Sequence, residues 1–91
     1  MITSTTTPSF NTMFRFQWEQ AQNCFVLLFP EGMVKLNGSA GEIMQLIDGV
    51  KTVQQITDAL QNKFPEAGDL SQDVIEFITI AIEKKWLYND H

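Results

Sequence analysis

The segment Leu27–Gly49, LLFPEGMVKLNGSAGEIMQLIDG, leaves the backbone little choice of local structure. The apolar run Leu27-Leu28-Phe29 enters Pro30-Glu31-Gly32, where proline presets φ at the second position of a turn and glycine suits the fourth. A type I turn over residues 29–32 follows. Met33-Val34-Lys35-Leu36 then returns as a strand of about four residues, at the short end of the usual range. Asn37-Gly38 stops it. Ser39 and Glu42 have the S-x-x-E spacing of a capping box, which predicts a helix from about Ala40 to Asp48 with Gly49 as its left-handed stop. A short strand beside a helix start is a place where a small protein can present an edge to another chain.

The flanking sequence extends this frame on both sides. Phe14–Glu19 alternates strictly, with Phe14, Phe16 and Trp18 on one face and Arg15, Gln17 and Glu19 on the other. Gln20–Asn23 is a polar connector of hairpin length. Cys24–Phe29 is apolar on both faces, as expected of a middle strand covered on both sides, which leaves Met33–Leu36 at an edge. A second helix opens at Thr52, with Gln55 completing a capping box; it buries Ile56, Ala59, Leu60 and Phe64 and ends before Pro65. A third starts near Ser71, where Leu70 and Ile75 fit a hydrophobic staple, and ends around Lys85. The fold class expected is therefore α+β: a three-stranded antiparallel sheet followed by three helices, winged-helix-like in order. With 91 residues there is one domain, expected over residues 11–88. Residues 1–10, Thr/Ser-rich, are expected to be a flexible arm, Trp86-Leu87-Tyr88 a packed tail, and residues 89–91 a frayed end.

The third helix has an unusually wide apolar arc. Val74, Phe77, Ile78 and Ala81 form one stripe, and Ile75, Ile78, Ile82 and Trp86 a second beside it. Such a helix is either central to the core or exposes part of its face to a partner. Central packing is the simpler reading for Val74, Phe77 and Ala81, whereas Ile75, Thr79 and Ile82 suit both.

Catalytic chemistry has no visible home. His91 is the only histidine and the last residue, so its expected state is a solvated terminus rather than a member of a triad or metal cluster. Cys24, the only cysteine, excludes an intrachain disulfide and reads as a small buried hydrophobe. The acids stand singly on helix faces, and Gly38 and Gly41 lack the lysine of a phosphate loop. The chain reads as a non-enzyme that carries neither cofactor nor metal. The strand-and-helix order also fits a winged helix-turn-helix. However, 11 acids against 6 bases give a net charge of −5, and the third helix opens with Asp73 and Glu76 instead of base-reading side chains. Nucleic acid is disfavoured. No stretch approaches the roughly 18 apolar residues that span a membrane, and the start lacks a secretory pattern, so a soluble cytoplasmic protein is expected.

Read as an ordered set, the motifs resemble the PqqD family of pyrroloquinoline quinone biosynthesis. They are Arg15-Phe16-Gln17-Trp18-Glu19, Val26-Leu27-Leu28, Pro30 through Asn37, Glu42-Ile43, Asp48-Gly49, Asp73-Val74, Phe77-Ile78 and Trp86-Leu87. The resemblance runs from about Pro8 to Leu87 and departs in two places. Ser9 stands where a basic residue is common, and Lys85 stands where glycine is common. It implies a peptide chaperone that binds the precursor peptide PqqA and delivers it to the radical S-adenosylmethionine enzyme PqqE, which joins a glutamate and a tyrosine side chain of the peptide. In such recognition elements the peptide adds as a strand beside the third strand and packs on the third helix.

Transferred by position, the implied groove lies between Met33, Val34, Lys35 and Leu36 on one side and Ile75, Ile78, Thr79 and Ile82 on the other. Val34 and Lys35 are the expected backbone contacts, with Leu36, Ile75, Ile78 and Ile82 as apolar walls. Whether Met33 and Lys35 or Val34 and Leu36 face the trough depends on register. An acidic carrier suits a peptide bearing lysine or arginine. The surface for PqqE stays open, with the exposed faces of the first two helices as candidates. The same edge could also pair with a second copy, so a homodimer stays open too.

Overall fold

The computed structural model describes residues 2–89. Strands β2 (Arg15–Glu19), β3 (Cys24–Phe29) and β4 (Gly32–Lys35) form an antiparallel sheet in the order β2-β3-β4. Helices α1 (Gly38–Gln45), α2 (Val53–Lys63) and α3 (Ser71–Glu83) follow, with a 3-10 turn at Pro65–Ala67 between the last two. Two strands the sequence does not announce complete the chain: β1 (Pro8–Phe10) pairs antiparallel with β5 (Leu87–Asn89). The three-stranded sheet followed by three helices is the α+β arrangement expected.

β3 is central, and its register explains why it is apolar throughout. Phe16, Leu27 and Val34 stand opposite one another across the three strands, facing the helices, and Leu27 is fully buried. On the other face Val26 is flanked by Gln17 and Lys35, and it too is fully buried. Phe25 stacks on Phe16 with ring centroids 4.8 Å apart and meets Trp18 edge-on at 5.1 Å. α1 comes so close to this cluster that a Cβ on Gly41 would lie 3.0 Å from the Phe25 ring. The core joins Leu27 and Leu36 to Ile43, Met44, Val53, Ile56, Val74, Ile78 and Leu87.

The helix starts are set by hydrogen bonds, and the first departs from expectation. Asn37, not Ser39, caps α1: its Oδ1 accepts from the Ala40 amide at 2.8 Å, and the Ser39 hydroxyl donates to the same oxygen. Asn37 already has extended backbone, so the helix begins earlier and Glu42 turns away to pair with Lys63. α1 also stops earlier, at Gln45, leaving Gly49 with its positive φ of 80° in the loop beyond. Thr52 caps α2 with the full reciprocal box to Gln55.

In that loop the Asp48 carboxylate accepts from the amides of Lys51 and Val50 and from Lys51 Nζ. These bonds, the Lys51 amide foremost, hold its pKa well below the ordinary 3.8. A depressed carboxylate pKa stabilises the fold above the unfolded value and loses that contribution as pH falls. Asp48→Asn should therefore flatten the fall in melting temperature on acidification below about pH 4. An unchanged acid limb would show that the loop bonds do not contribute.

The N-terminal segment differs from the expected flexible arm. The Thr6 and Ser4 carbonyls accept the α2 amides of Val53 (2.8 Å) and Gln54 (2.9 Å), and Thr6 and Pro8 are buried. Asn89, expected to fray, pairs with Pro8. His91 and the rest of the expected frayed end lie outside the described residues. No described helix is long and apolar enough to cross a membrane.

Candidate functional site

β4 lies at the edge of its sheet, and the register fixes which of its groups are free. The Leu36 amide donates to the Phe25 carbonyl at 2.9 Å. Antiparallel pairing alternates, so Val34 and Gly32 also point their backbone groups at β3, while those of Met33 and Lys35 point outward. The side chains alternate the other way: Val34 and Leu36 turn toward the helices, and Met33, 40% exposed, and Lys35 turn to water.

A cleft of about 340 Å³ opens beside the end of β4. Lys35, Leu36 and Asn37 form one bank and Asp73, Phe77, Ile80 and Trp86 the other, over buried Ala40, Ile43 and Leu60. On α3, Asp73, Phe77 and Ile80 fall at i, i+4 and i+7 and so share one face. Ile80 is 47% exposed, high for an isoleucine that has apolar neighbours available. Asp73 makes no ion pair among the described residues.

Trp86 reaches this bank because α3 ends in a tight reversal. Lys85 adopts a positive φ of 68°, the Trp86 amide donates back to Ala81 O (2.9 Å) and the Lys85 amide to Ile82 O (3.0 Å). This is a Schellman cap with lysine at the position that favours glycine. Buried Asn11 fastens the reversal, donating from Nδ2 to Lys85 O at 2.7 Å and from its amide to Trp86 O at 3.0 Å.

The structure brings together only part of the site read from sequence. Lys35 and Leu36 line the cleft, with Leu36 as floor at 4% exposure; Met33 and Val34 extend the strand beside it. Ile78 is fully buried in the core and lines no cleft. Ile75, Thr79 and Ile82 are half-buried on a flank of α3 roughly opposite to Asp73, Phe77 and Ile80. The Thr79 hydroxyl is occupied, donating to Ile75 O at 2.7 Å. Val74 and Ala81 face the core as expected, with Ile78 between them, and this setting turns Ile75, Thr79 and Ile82 away from the cleft. Phe77, Ile80, Asp73 and Trp86, which the sequence reading does not assign to the groove, line the cleft, and their one signal is Asp73, Phe77 and Ile80 falling on one side of α3 just before Trp86.

No group of three or more His, Cys, Asp or Glu side chains among the described residues is placed to hold a metal ion. The site offers backbone hydrogen bonds, apolar surface and one unpaired carboxylate.

Residues 24–87 match the family model of coenzyme PQQ synthesis protein D, PqqD. The chain is 49% identical over 86 residues to a PqqA binding protein of Stutzerimonas stutzeri, covering 94% of each chain. It is 50% identical over 82 residues to one of Acinetobacter baylyi, covering 90% of this chain and 83% of that one. The fold matches the solution structure of the PqqD part of Methylobacterium extorquens PqqCD, a stand-alone recognition element for ribosomally made, post-translationally modified peptides. That match has a TM-score of 0.81 at 23% identity and covers 98% of this chain and 96% of the other. PqqD from Xanthomonas campestris, 31% identical, superposes with a TM-score of 0.57 over 97% of this chain and 99% of that one. An edge strand, a cleft under a half-apolar helix and sequence identity near one half over nearly the whole length converge: the chain belongs to the PqqD family.

Proposed function

We propose that this protein binds a PqqA-type precursor peptide as a fourth strand on β4 and presents it to the radical S-adenosylmethionine enzyme PqqE. The observation that carries the reading is the continuity of the free β4 edge with the cleft under Phe77 and Ile80. Strand addition draws affinity from backbone hydrogen bonds and selectivity from the pockets that receive alternate side chains. Here the outward groups of Met33 and Lys35 supply the first, and the bank of Phe77, Ile80 and Trp86 the second. Asp73 and the net charge of −5 favour a basic residue in the peptide. Relatives described as PqqA binding proteins support the choice of ligand.

Titration with synthetic PqqA peptide tests it. The wild type should bind, and Ile80→Asp should weaken binding at least about tenfold by placing a charge on the apolar bank. Glu83→Ala, on the exposed side of α3, should leave affinity unchanged. Equal affinity in folded Ile80→Asp and Glu83→Ala would move the site elsewhere. The PqqE step is read separately, as a rise in peptide crosslinking when the protein is added to PqqE and PqqA.

A further inference from the structure

The cleft beside β4 does not end at Asn37. Ser39, Leu60 and Leu70 line both it and a second hollow of about 440 Å³, closed by Gly38, Phe64 and Ala67. That volume is within the range of ligand pockets. Its walls are apolar apart from Ser39 and Glu42, and the Glu42 carboxylate is held by Lys63. Phe64 forms one wall while 40% exposed, with Lys63 Nζ 5.8 Å from its ring centroid. The hollow therefore offers an uncovered aromatic and aliphatic surface whose only acid is already neutralised.

We propose that this hollow is an anchor pocket for one bulky apolar side chain of the same peptide, from outside the stretch that pairs with β4. The inference rests on the peptide-binding reading and deepens it. Its argument is continuity: β4 runs out at Lys35, and the residues that follow pass from one space to the other, Asn37 lining the cleft, Gly38 the hollow and Ser39 both. An extended chain paired on Met33 and Lys35 leaves the strand edge there. At roughly 3.3 Å per residue it reaches the hollow within a few residues. A charged or small side chain would gain little there, whereas a leucine, isoleucine or phenylalanine would be removed from water.

Gly38 provides a test that spares the fold. A Cβ at this position meets nothing within 4 Å, and Gly38 lies at the mouth of the hollow but not in the cleft. Gly38→Leu should obstruct the mouth of the hollow and weaken PqqA peptide binding about tenfold to a hundredfold, the value of one buried apolar side chain. Val50→Leu, at an exposed position that lines neither space, should bind as the wild type does. An alanine scan of the peptide should find one apolar residue beyond the strand-paired stretch whose loss costs about tenfold against the wild type and nothing further against Gly38→Leu. Wild-type affinity in Gly38→Leu would overturn the anchor pocket and leave strand addition standing. Failure of the wild type to bind the peptide would instead remove the reading beneath it.

Discussion

Lys35→Pro should bind PqqA peptide at least about a hundredfold more weakly than the wild type while melting at a similar temperature. The Lys35 amide points away from β3, because Leu36 donates to Phe25 and the pairing alternates. Proline there removes an outward donor and sets its ring where an added strand would lie. Edge strands tolerate proline when the lost amide faces solvent, so the sheet itself is spared. Val34→Pro is the complementary variant: its amide bonds into β3, and its loss should lower stability. Calorimetric titration beside thermal melts separates the two effects. A Lys35→Pro protein that binds as tightly as the wild type would mean that the peptide does not join the sheet at β4.

Ile78→Asp should not fold. Ile78 is completely inaccessible in the middle of α3, with Val74 and Ala81 on the same buried stripe. The change removes a buried apolar side chain, a loss of about 2–5 kcal/mol, and leaves a carboxylate without a partner, about 3–5 kcal/mol more. A domain of this size has only about 5–14 kcal/mol to lose. Far-ultraviolet circular dichroism should report a largely unfolded chain at 25 °C. A folded Ile78→Asp protein that had merely lost its peptide affinity would return Ile78 to the groove and contradict the helix orientation described above.

These two residues also mark how far the sequence could be read. The β4 edge was legible because Pro30-Glu31-Gly32 fixes a turn and Asn37-Gly38 fixes a stop, both local signals. The Thr52–Gln55 box was legible for the same reason. The face of α3 that meets the cleft was not. A helix carrying isoleucine at 75, 78, 80 and 82 has an apolar arc too broad to define one inward direction, and the neighbours decide. Phe77 packs against the core as its spacing predicts and also lines the cleft with Ile80, while the expected walls Ile75 and Ile82 lie across the helix. β1 and β5 were missed because each is three residues long and gains its meaning from the other, at opposite ends of the sequence. Asn37 displaced Ser39 as the α1 cap because two good cap residues stand two positions apart and only the strand exit chooses between them.

The pairing of β1 with β5 has a consequence for how this fold can be joined to others. Pro8 stands directly across from Asn89, so the segments that lead into and out of the sheet pair lie side by side. A module with adjacent entry and exit can be spliced into a loop of a host protein, or circularly permuted through a short bridge, without stretching its interior. The new ends would best open in the exposed turn at residues 20–23, which lines neither the cleft nor the hollow. The recognition cleft would then travel intact as a transplantable cassette.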